Sequence, residues 1–432
     1  MMHALDVLRA TGGAARAANQ QEVEAQLCTL VVDFSKKAYA KNLGGWLHVC
    51  ADVLAGIFSR VLAKSNVSEL LALLEVQIKN ECDTGNFWAE RTFIEKSFTL
   101  KQAAGLAPKD ASCQGALGES YEREAKAAPT AMHAEHALRH AVDAYRKARR
   151  SDDADRAAKF LERAAADARA ELKTVSFTIS FSRENTDAFF SLFDDSSIED
   201  ALMLSAMHPS FELDPDYIAR EAESNAKTAP LMRLIPVLML RPENTSFGPN
   251  TPEEQKALEI SQTALRHVDL DAIFLAEIFR RLRERGMREN DVIKALYRGH
   301  IFIPQDLPFL LHGIRHWLSG DHLSFIHVIV PCIEKVLRRL CRNTGPATIR
   351  VRDDGTEQLA LNGVLENLQG KLPSSLVFAL KVVLVDRGAW ALRHITAHGL
   401  EEASFFSATK SAYLMHLLLA IGGLVSQQPQ TE

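Results

Sequence analysis

At 432 residues the chain is long enough for two or three cores, and 47% hydrophobic against 24% charged residues excludes a disordered or fibrous protein. A formal charge of -5 excludes a global basic field, so any contact with nucleic acid must come from a local patch. Six cysteines (Cys28, Cys50, Cys82, Cys113, Cys332, Cys341) stand scattered with no CxxC pair, which argues against a zinc ribbon or a disulfide framework and for reduced, mostly buried thiols.

Met1 to Ala18 lacks a continuous apolar run, and Tyr413 to Val425, interrupted by His416 and Gly422-Gly423, is shorter than the ~20 residues that cross a bilayer. We therefore expect no membrane partner and a cytoplasmic location. From Gln20 to Lys173 Ala, Leu, Glu, Lys and Arg dominate, with apolar residues such as Leu27, Leu30, Val31 and Phe34 mostly three or four apart. The spacing predicts helices over 46–64 and 69–79, with turn and capping residues at 65–68, and a longer pair over 129–149 and 152–172 lined by small residues. Residues 1–173 thus read as a solenoid-like array of helical hairpins, a type of surface that binds partners.

Val175, Phe177, Ile179 and Phe181 alternate with Thr and Ser, which predicts a strand over 174–182. A proline-rich stretch follows, then helices at 252–267 and 269–285 closing at Gly286, so 174–300 reads as a mixed, mostly helical middle segment. Beyond it, helices are expected at 304–320, 321–342, 373–385 and 404–424. A β-hairpin is expected between Ile349 and Leu361, turning at Asp353-Asp354-Gly355. The overall class is mainly α.

The segment with the most chemistry is Asp386 to Leu400. A short helix from about Ala389 carries Arg393, His394 and His398 and stops at Gly399, a residue type that tolerates the left-handed conformation of a helix end. His394 and His398 share a face, whereas Arg393 and His398 lie roughly 140° apart on a helix of 3.6 residues per turn. A forked guanidinium suits phosphate, and an imidazole can move a proton near neutral pH.

Arg393 and His398 resemble the RNxxxH signature of the HEPN superfamily, and His398-Gly399 extends it to the RNxxxHG form of one family of unknown function. His394 stands where that family has Asn. Gly320-Asp321, His327, Pro331, Glu334, Arg338, Gly345, Gly355 and Gly388 follow in similar order and spacing, so the resemblance covers 301–432. It implies a C-terminal HEPN-type helical bundle and an endoribonuclease without cofactor or metal. The ribose 2′-hydroxyl would be the nucleophile, His398 the base or acid, and Arg393 the group stabilising the phosphate; His394, Glu334, Arg338 and His327 would support them. It further implies a homodimer and a role as toxin or antiviral-defence effector, with a partner or trigger on the N-terminal helices.

Plainer readings accompany each residue. Glu334 and Arg338, four apart in acid-first order, fit a structural ion pair, and His327 a satisfied core histidine. His133, His136 and His140 share one face, yet Glu135 and Arg139 suggest a solvated helix instead of a metal site, and His312 and His316 invite the same comment. The apolar helix at 404–424, carrying Phe405, Phe406, Leu414, Leu417, Leu418 and Ile421, is expected to pack across a two-fold axis. The rival class is a non-catalytic scaffold or RNA-binding module dimerising through its C-terminal domain.

Overall fold

The computed structural model describes residues 2–41, 43–61, 64–106, 110–172, 178, 180–228, 239–240, 246–249, 251–352 and 355–424. Among them the chain is mainly α, as its composition indicates, with nineteen α-helices and two two-stranded antiparallel ribbons. It divides into two units, Met1–Val175 and Ser176–Glu432.

The first unit holds α1 (Met2–Ala17), α2 (Gln21–Ala40), α3 (Leu47–Ile57), α4 (Lys64–Thr84), α5 (Phe87–Ala103), α6 (Asp110–Ala127), α7 (Ala131–Lys147) and α8 (Ser151–Glu171). Neighbours in sequence pack on each other, most extensively α6 on α7 and α7 on α8, where Ala137, Ala141, Ala144, Ala154, Ala157 and Ala165 are buried and let the axes approach. Thr130, its Oγ1 accepting from the His133 amide, starts α7 two residues later than the proline suggested. The capping residues expected at 65–68 fall inside α4, and α1 had no counterpart in the sequence reading. Tyr145, fully buried, donates to Glu122 at 2.7 Å, so the contact among α6, α7 and α8 has a polar pin at its centre.

The second unit contains α9 (Arg183–Asp194), α10 (Ile198–Met207), α11 (Pro215–Thr228), β1 (Met239–Leu240), β2 (Ser246–Phe247), α12 (Pro252–Glu284), α13 (Glu289–Leu296), α14 (Leu307–Ser319) and α15 (His322–Asn343). It continues with β3 (Ile349–Arg352), β4 (Gly355–Gln358), α16 (Leu361–Leu368), α17 (Ser374–Leu384), α18 (Leu392–His398) and α19 (Ala408–Gly423). The two helices expected over 252–285 are one helix of 33 residues, because nothing at 268–270 breaks the buried stripe Ala264, Val268, Ala272, Leu275, Phe279, Leu282. That stripe packs against α19, so the segments 174–300 and 301–432, separated in the sequence reading, share one hydrophobic core. Of the strand expected at 174–182, residues 178 and 180–182 are not in a strand, and Val175, Phe177 and Ile179 lie outside the described residues.

The hairpin forms with Ile349 opposite Gln358 and Arg352 opposite Gly355; its turn residues Asp353 and Asp354 lie outside the described set, and Leu361 opens α16 instead of continuing the strand. Pro331 sits inside α15, removing the helical hydrogen bond to the His327 carbonyl. Helix α19 corrects an expectation. Its Ala412 to Leu414, Leu417 to Leu419 and Ile421 are at most 2% exposed, covered by α10, α12, α13, α15 and α17 of the same chain. Its apolar excess is thus used within one core and leaves no face for a two-fold partner. Gly422 permits a close approach to α13: a Cβ there would lie 2.6 Å from the Leu296 carbonyl oxygen.

Candidate functional site

Helix α18 is seven residues long and bounded by two left-handed residues, Ala391 (φ 48°, ψ 40°) and Gly399 (φ 64°, ψ 42°). Gly399 takes this conformation freely, whereas a buried alanine there costs roughly 1–2 kcal/mol. The preceding turn is held from two sides. Asp386 accepts from the Gly388 amide at 2.8 Å and from the Ser261 hydroxyl at 2.5 Å, and the Trp390 indole donates to Asp269 at 3.0 Å. A Cβ at Gly388 would come within 2.9 Å of Leu258, so this turn lies directly against α12. Leu392 and Ile395 bury the inner face of α18, which leaves Arg393, His394 and His398 on its outer side.

The guanidinium of Arg393 is fixed at one point, Nε to Glu334 Oε2 at 3.1 Å. The other carboxylate oxygen of Glu334 accepts from Arg338 Nη2 at 2.5 Å, and Arg338 Nη1 donates to the Leu359 carbonyl at 2.6 Å. Glu334 and Arg338 are nearly buried, at 16% and 12% side-chain exposure, whereas Arg393 is 43% exposed. Burial opposes ionisation of Glu334, but the hydrogen bonds from Arg338 and Arg393 outweigh it and hold the carboxyl below its ordinary value. The triad of two guanidiniums and one carboxylate therefore carries a net positive charge. Among the described residues, neither Nη group of Arg393 makes a hydrogen bond, so its fork is available for two parallel bonds to a phosphate.

His394 and His398 meet with ring centroids 4.8 Å apart, His398 being exposed and His394 half-buried. No hydrogen bond joins Arg393 to His398 among the described residues, in line with the wide angle between them on a helix. His327 is not brought into this group: its Nδ1 lies 2.9 Å from the Leu323 carbonyl and its ring packs on Phe406 at 4.8 Å. The structure thus joins Arg393, Glu334 and Arg338, sets His394 beside His398, and leaves His327 half-buried against Phe406.

Sequence reasoning missed Ser261, Asp269, Asp386 and Trp390. The spacing Asp386-x-Gly388 was a local turn signal, but the partners on α12 are 121 and 125 residues away and announce themselves in no motif. Elsewhere, His136 and His140 meet at 4.7 Å with His140 stacked on Tyr121, and burial lowers the pKa of both. Glu135 is fully buried, contrary to the solvated face expected around it. The cysteines are unbridged and all but Cys82 buried. No group of three or more His, Cys, Asp or Glu among the described residues is arranged as a metal site, and no helix among them is long and apolar enough to cross a membrane. Comparisons with protein-family models, curated proteins and solved structures find no match to this chain.

Proposed function

We propose that this protein is a HEPN-type endoribonuclease that cuts RNA through 2′-hydroxyl attack at the site around α18. The observation that carries the reading is the anchoring of Arg393 through Nε alone, beside a helix that also presents His394 and the exposed His398. A guanidinium held in this way can clamp the scissile phosphate and stabilise the extra charge of its transition state without reorganising.

His398 removes the proton of the ribose 2′-hydroxyl. The oxygen attacks phosphorus, the bond to the 5′-oxygen breaks, and a protonated imidazole returns a proton to the leaving oxygen. The products are a 2′,3′-cyclic phosphate and a 5′-hydroxyl. Because Arg393 and His398 diverge on one helix, we assign the complete site to two chains paired near α18, a placement that does not involve α19. The helical unit 1–175 supplies a surface for a trigger or partner, as a toxin or antiviral effector requires.

The test is incubation of the full chain with RNA in excess EDTA and analysis of the new ends. Cyclic phosphates that disappear in Arg393→Ala and His398→Ala support the proposal. Tight RNA binding without new ends would leave the rival reading of a binding module, which the lack of a hydrogen bond between Arg393 and His398 among the described residues favours.

A further inference from the structure

We infer that His312 and His316 form a binding site for a borderline divalent transition cation such as Zn²⁺. They lie one turn apart on α14, and their Nε2 atoms are 3.2 Å apart with ring planes at 84°. Two nitrogens bound to one tetrahedral cation at about 2.0–2.1 Å stand about 3.3 Å apart, so the pair already has the separation that a metal imposes. Nε2 is the nitrogen that each ring turns towards the other.

The second support is the group behind His316. Its Nδ1 lies 3.0 Å from Asp321 Oδ2, while Asp321 Oδ1 accepts from the Ser324 amide at 3.0 Å as the N-cap of α15. The carboxylate is locked by the cap and by the left-handed Gly320 before it (φ 83°). It therefore accepts from Nδ1–H, fixes the ring, and leaves the Nε2 lone pair for a metal, the carboxylate–imidazole–metal arrangement of known metal sites. The adjacent cation, Arg315, is engaged by both oxygens of Glu289, which offsets its charge. His312 is exposed and His316 is 29% exposed, so a cation reaches them from solvent and keeps water at its open positions. In the metal-free chain His312 Nε2–H donates to His316 Nε2; for a cation to bind both nitrogens His312 passes to its other tautomer, giving the Nε2 proton to water and taking one from water at Nδ1. The pair at His136 and His140 has no carboxylate so placed among the hydrogen bonds of the described residues.

The inference is independent of the ribonuclease reading. Chelator-stripped full-length protein is titrated with Zn²⁺ by calorimetry, and with Co²⁺ by visible absorption. The expected result is one cation per chain, with affinity falling at least about 10-fold in His312→Ala and in His316→Ala and about 10-fold in Asp321→Asn, within the range for loss of a group that orients a ligand. His133→Ala binds as the parent does. Circular dichroism checks that each variant is folded, and His312→Gln, an exposed substitution, serves as a second probe. Absence of stoichiometric binding, or binding that survives the double substitution of His312 and His316, overturns the inference.

Discussion

Glu334→Gln isolates the electrostatic bridge on which the placement of Arg393 depends. The amide keeps the shape of the side chain but replaces a carboxylate that accepts from two guanidiniums. Hydrogen bonds to charged groups contribute about 1.5–3 kcal/mol each, and removing one member of a buried pair leaves the other uncompensated. Arg338, 12% exposed, bears most of this loss; the bond to Arg393, at 43% exposure, is screened and counts for less. The expected destabilisation at neutral pH is about 2–3 kcal/mol, read by urea denaturation, with a fall in Tm of about 2–4 °C per kcal/mol for a unit of this size. The pH dependence has a definite sign. The folded Glu334 carboxyl is held below its ordinary value of 4.5, so its contribution is complete above 4.5 and is lost as pH falls through the lower folded value. The gap between parent and variant should therefore close on acidification. A variant as stable as the parent at neutral pH, or a gap of constant size down to acid pH, would refute the reasoning.

Tyr413 is fully buried and its hydroxyl makes no hydrogen bond among the described residues, so Tyr413→Phe should raise stability by about 1 kcal/mol by urea denaturation; a loss of stability would mean the hydroxyl has a partner. Burial lowers the His416 pKa from its ordinary 6.5 to about 4 despite Nδ1–H donating to the Ser205 carbonyl at 2.7 Å. The neutral ring is the folded form, so this residue's stabilisation is full above 6.5 and declines as pH falls towards 4, a slope that His416→Leu should flatten in denaturation curves across that range. Ala391→Gly should be close to neutral in stability, relief of the left-handed strain balancing the lost methyl group, whereas Ala412→Gly in the middle of α19 should cost about 1 kcal/mol or more.

What could be read in advance was what is local. Gly399 closing α18 and the small residues between α7 and α8 act within one or two turns, so they stand out in the letters. Ser182 and Ser197, whose hydroxyls cap α9 and α10, are equally local but stand among other polar residues that do not start helices. Other features were not legible. An apolar helix such as α19 reads the same whether its faces meet its own chain or another, and only the positions of α10, α12, α13, α15 and α17 decide it. Glu334 and Arg338 were readable as a pair four apart, but the third member, Arg393, lies 59 residues from Glu334. The candidate site was therefore visible as a motif, while the α12 residues that hold its turn in place depended on tertiary packing.

The central claim is that the ribose 2′-hydroxyl is attacked into the adjacent phosphate under the control of Arg393 and His398. A short RNA that the full chain cuts at one position, resynthesised with a single 2′-deoxy nucleotide immediately 5′ to the scissile phosphate, tests it most directly in the presence of EDTA. The account predicts that cleavage at that position stops while binding is retained. Cutting of the deoxy-substituted strand at the same place would contradict it.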